Sequence, residues 1–122
     1  MYDAGALVAA DRSDRRAWAR HRALLERGTA PAVPATVVAQ TSRSPRQAQL
    51  RRLLRGCEVV TLDEPSAHAV GVLLARSGTS DVVDGSVAVL AVARRAATVT
   101  GDRADIEHLL AASGTDLPVL DA

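Results

Sequence analysis

Short strand-length runs alternate with helix-length segments along the whole chain, and this alternation limits the folds open to it. The runs are TAPAVPA (29–35), CEVVTL (57–62), AATVTG (96–101) and LPVL (117–120), each too short for a helix and punctuated by Gly or Pro at or beside its ends. The segments between them carry helix start and stop signals. A short apolar helix is expected over 4–10, after Asp3. SDRRAWARHRALLERG (13–28) opens on Ser13, places Ala17, Leu24 and Leu25 on one face, and stops at Gly28. PATVVAQTSRS begins a helix near Pro34; Pro45 interrupts it and opens PRQAQLRRLLRG, closed by Gly56. DEPSAHAVGVLLARSG (63–78) has acids first and Gly78 last, and GDRADIEHLLAASG is a further helix. Strands alternating with helices imply crossovers and a parallel sheet, in one domain over residues 1–122.

Composition removes several functions. All 15 basic residues are arginine, so no P-loop lysine, Schiff-base lysine or receiver-type lysine exists. A net charge of +1 sets up no global field for nucleic acid, and two aromatic residues cannot build base-stacking platforms. The single cysteine, Cys57, excludes an internal disulfide and a thiolate zinc site, and reads as a buried structural thiol. The apolar runs fall short of the ~20 residues of a membrane helix, and no secretory signal is visible. A soluble, cytoplasmic protein with no membrane partner is expected.

The stretch TSDVVDGSVAVLAVA (79–93) places Asp81 and Asp84 one turn apart at the mouth of an apolar helix ending near Arg94 and Arg95. Asp102 and Asp105 repeat the spacing, and Asp3 precedes AGALVAA. In an open parallel sheet, ligands bind beyond the carboxyl ends of strands. Asp3 and Asp102 each follow a strand and Asp81 and Asp84 open a helix, so all four can face one edge. Carboxylates gathered there repel, and a hard divalent cation removes that penalty. Local capping explains the same residues, because aspartate is a favoured N-cap and first-turn acids suit the helix dipole. On that reading Asp105 is capping support or solvated surface.

Four segments in order, YDAGALVAA, VPATVVAQ, SDVVDGSVAVLA and ATVTGDRADIEHL, resemble the PIN-domain ribonucleases, in particular VapC-type toxins of toxin–antitoxin pairs. The resemblance implies a PIN-like three-layer α/β/α fold with a central parallel sheet. It implies an acidic pocket holding Mg²⁺ or Mn²⁺, endonucleolytic cleavage of RNA, a homodimer, and a cognate antitoxin whose tail covers the pocket. By that resemblance Asp3, Asp84 and Asp102 are the catalytic acids and metal ligands, and Thr100 the nearby hydroxyl. The second family acid falls on Gln40, which can ligate but carries no charge. Asp81 compensates as a further metal ligand, or the site has lost activity. Only Met1 and Tyr2 precede Asp3, against about 5–6 residues in an average strand. A stunted first strand, or residues missing before Met1, would leave Asp3 weakly anchored.

The segment SRSPRQAQLRRLLRG carries Arg43, Arg46, Arg51, Arg52 and Arg55, and its Leu50, Leu53 and Leu54 can face inward while the arginines look out. Arg43 and Arg46 are the candidate RNA contacts, as guanidinium forks match phosphate geometry; a solvated face is the alternative. His21, His68 and His108 lack metal-ligand spacing and read as surface or packing residues. The expected function is a metal-dependent endoribonuclease. The alternative is a PIN-fold protein that binds RNA or an antitoxin without cutting. A phosphatase of another α/β fold would need a second aspartate two residues after Asp3, where Gly5 stands.

Overall fold

The computed structural model describes residues 1–122. Seven helices alternate with four three-residue strands: α1 (Ala4–Asp11), α2 (Arg15–Glu26), β1 (Ala32–Pro34), α3 (Ala35–Thr41), α4 (Ala48–Arg55), β2 (Glu58–Val60), α5 (Glu64–Ser77), α6 (Val82–Arg94), β3 (Thr98–Thr100), α7 (Arg103–Ala112) and β4 (Val119–Asp121). Local chemistry sets most helix ends. Asp63 Oδ1 accepts from the Ser66 amide to start α5, and Gly78, at φ 71°, ends it in the left-handed region. Asp14, not Ser13, caps α2 by accepting from the Ala17 amide at 2.9 Å; Ser13 is held at φ 61° in the preceding turn.

The strands correct the expected fold class. A three-layer α/β/α fold with a central parallel sheet does not form. The helices hold 59% of the residues, and the strands make two separate two-stranded parallel sheets. One pairs Val33 of β1 with Val59 of β2, the other Val99 of β3 with Leu120 of β4. The physical reason is in the runs themselves. Prolines at 31, 34 and 118 lack the amide that a longer ladder would use, and helices claim the neighbouring residues. Between the two sheets lies the segment Met1–Asp3. The Tyr2 amide donates to Ala32 O at 2.8 Å, the Asp3 amide to Val99 O at 2.9 Å, and Val99 N donates to Met1 O at 2.8 Å. The link is a single parallel bridge, Tyr2 to Val99.

The core is aliphatic. Leu7, Val33, Val37, Val87 and Ile106 are fully buried, and Leu50, Leu53, Leu109 and Leu110 nearly so. Helices α5 and α6 approach closely at Gly85, where a Cβ would stand 2.9 Å from Val70 Cγ1. Cys57 is half-buried, donates to Leu53 O, and burial pushes its thiol up to about 11. No helix is long and apolar enough to cross a membrane.

Candidate metal centre

Tyr2 and Asp3 are neighbours on an extended segment, so their side chains leave it in opposite directions. Asp3 is 4% exposed. One carboxylate oxygen accepts from the Ala4 amide at 2.7 Å and caps α1; the other accepts from Thr100 Oγ1 at 2.7 Å. With its amide also bonded to Val99, Asp3 is firmly held, contrary to the weak anchoring expected for so short a first strand. Thr100 Oγ1 in turn accepts from the Asp102 amide at 2.9 Å. The threonine therefore ties the acid after the first segment to the acid after β3.

Glycines permit that approach. A Cβ built on Gly5 would overlap the backbone nitrogen of Gly101 and stand 2.7 Å from its Cα. Only a residue without a side chain lets the first turn of α1 lie against the turn between β3 and α7. On the other side, Thr36 Oγ1 and Ser86 Oγ share a hydrogen bond at 2.5 Å, joining α3 to α6. That contact brings Gln40 to the same depression as Asp3, Asp81, Asp84 and Asp102. The structure thus gathers every acid singled out in the sequence, with the substituted amide position, at one rim.

The capping reading divides among them. Asp81 caps α6 through the Asp84 amide at 2.9 Å, and Asp3 caps α1. Asp102 begins α7 without any side-chain cap bond. Asp84, Asp102 and Asp105 can place one carboxylate oxygen each within 4.8 Å of one another. No arginine or histidine forms an ion pair with any of the three; the ion pairs of the molecule lie elsewhere. Burial, then the charges of Asp81, Asp3, Asp105 and Asp102, push the Asp84 carboxyl up to about 7. A hydrogen bond with Asp102, followed by that residue's charge, holds Asp105 above the ordinary carboxyl range. These are the marks of negative charge gathered without a counter-charge.

Two residues of this site were not expected from the sequence. Asp105 stands three residues after Asp102, on the same face of α7, and that spacing was the available signal. His108, a further turn along, lines the adjoining cavity of about 250 Å³ with Asp81, Asp84 and Asp105. Its Nε2 lies 2.8 Å from Ser77 O, so that nitrogen carries the proton. The candidate RNA contacts, Arg43 and Arg46, line neither the acidic depression nor the adjoining cavity. Arg43, one turn after Gln40, donates to Ala39 O and Ser42 O; Arg46 is exposed and its side chain makes no hydrogen bond.

The donor set fits a hard cation. Carboxylate oxygens with an amide oxygen alongside, open to solvent, suit six-coordinate Mg²⁺ or Mn²⁺ that retains water. Zinc would favour nitrogen or sulfur donors, which are absent from the three-carboxylate group. No protein-family model matches the chain, and no curated protein matches it either.

Proposed function

We propose that this protein is a divalent-cation-dependent endoribonuclease that works with Mg²⁺ or Mn²⁺. The observation that carries the reading is the approach of Asp84, Asp102 and Asp105 with no compensating cation from the protein. A bound Mg²⁺ or Mn²⁺ would activate water and stabilise charge developing on a phosphoryl oxygen. Asp84, Asp102 and Asp105 would hold it, and Asp81 would add charge beside them. Asp3, with both oxygens already bonded, acts by fixing Asp102 through Thr100. Gln40 offers an uncharged oxygen at the rim. Arg43 and Arg46 would bind flanking phosphates. RNA as substrate, a cytoplasmic setting, a homodimer and a cognate antitoxin rest on the four sequence segments that resemble VapC-type toxins, and not on the sheet.

The test is cleavage of a structured RNA in Mn²⁺. Activity is expected to vanish in chelator and in Asp84→Asn and Asp105→Asn. Cleavage that survives chelator would sink the reading. Gln40 favours a second reading, a protein that binds RNA or a partner without cutting, since it removes a charge from the rim. Calorimetry separates the two: Mn²⁺ binding without cleavage supports the second.

A further inference from the structure

On the other side of Tyr2 lies a buried titratable group that the nuclease reading does not use. His21 of α2 is 3% exposed. Its Nδ1 lies 3.2 Å from the Tyr2 hydroxyl. Trp18 meets its ring edge-on, with centroids 5.7 Å apart. Gly56 covers the Nε2 side so closely that a Cβ there would stand 2.9 Å from it.

The groups facing this ring offer no counter-charge. From the N-terminal segment comes the Tyr2 hydroxyl; from α4 comes Arg52, whose guanidinium lies 4.6 Å over Trp18. Behind α4 comes Gly56, and from α2 itself Trp18 and Leu25. No carboxylate forms an ion pair with His21; His68 is the one histidine that has such a partner. Burial first, and Arg52 second, hold the imidazole below its ordinary range. The charge that a proton brings would sit in a ring 3% exposed, with the Tyr2 hydroxyl rather than a carboxylate as its partner and Arg52 nearby. The same Tyr2 carries the backbone bond to Ala32, and the next residue is Asp3.

We propose that His21 is an acid-sensitive joint: a charge on its ring, packed against Tyr2 with no acid to pair with, destabilises the seat of α2 on Tyr2 and loosens the segment that holds Asp3. This holds whether or not the carboxylate site cuts RNA. The sign follows from linkage. A histidine depressed in the folded state contributes stability fully above its ordinary value, and that contribution is lost as pH falls below about 6.5.

The experiment is an NMR titration of the wild-type protein, with the His21 ring assigned through its contacts to Trp18, beside urea unfolding of wild type and His21→Asn from pH 8 to 5. The His21 resonance is expected to stay at its neutral position until the fold opens. The wild-type unfolding constant should rise relative to the variant's by up to about tenfold per pH unit below pH 6.5. The Tyr2 and Asp3 amides should lose exchange protection before those of α6. A ring that titrates near 6.5 in an otherwise unchanged spectrum overturns the proposal, as do parallel pH profiles or protection lost evenly. Should His21→Asn fail to fold, the wild-type titration and exchange decide alone.

Discussion

Two regions flank the Tyr2–Asp3 pair and treat charge in opposite ways. On the Asp3 side, five carboxylates share one rim and no basic side chain forms an ion pair with them. On the Tyr2 side, a buried imidazole sits among a phenol, an indole and a guanidinium, with no acid to pair with. The first region is strained when its groups are ionised, the second when its group is protonated. Asp84 is raised to about 7, so its stability contribution is lost as pH rises from the ordinary 3.8 through that value. His21 is lowered, so its contribution is lost in the other direction. One backbone segment therefore joins two opposed pH slopes, and a divalent cation acts on only one of them.

The widest break in this comparison comes at the boundary itself. Gly5→Ala drives a Cβ into the Gly101 backbone and should cost about 2–3 kcal/mol in urea unfolding. It should also abolish any Mn²⁺-dependent rise in stability, because the Asp3 and Asp102 turns are forced apart. Gly71→Ala, where nothing lies within 4 Å, is the control and should be neutral or slightly stabilising. A Gly5→Ala protein as stable as wild type would mean the turns do not pack as described.

Asp84→Asn sharpens the acidic half. Without divalent cation it should stabilise the fold by about 1–2 kcal/mol above pH 7, a figure reduced for the screening of a half-exposed group. Below about pH 4 the gain should vanish, since the wild-type carboxyl is then neutral. Saturating Mn²⁺ should reverse the order, as wild type alone gains binding energy. Thermal unfolding across that pH range reads all three.

Tyr2→Phe tests the other half with the smallest change. It leaves His21 Nδ1 buried without its partner and should cost about 1 kcal/mol while leaving the Asp84 titration near 7. A shift of the Asp84 titration in this variant would show that the two regions are coupled more tightly than one shared segment requires.

The helices were largely legible, because caps and stops act over three or four residues. Gly78 ends α5 where its position demands, and Asp63 starts it. Ser13 and Asp14 are adjacent and equally good caps by type, so only the turn decided between them. The strand runs were also visible, yet their assembly was not. Three-residue pieces, two of them edged by proline, make ribbons rather than the central sheet that alternation implied. Asp105 reads from the sequence as capping support or solvated surface, because its neighbours in the chain supply a sufficient local reason for an acid. Nothing beside Gly5 in the chain signals its packing role, since its partner, Gly101, lies far along the sequence.

Residue order alone thus determined which segments are helical and which acids stand one turn apart, since both depend on neighbouring backbone and side-chain bonding. Only the tertiary structure decided that Asp84, Asp102 and Asp105 converge, that Thr100 fastens Asp3 to Asp102, and that His21 closes on Tyr2. Those contacts join residues far apart in the chain. Their charges and burial exist only once the core has brought them together.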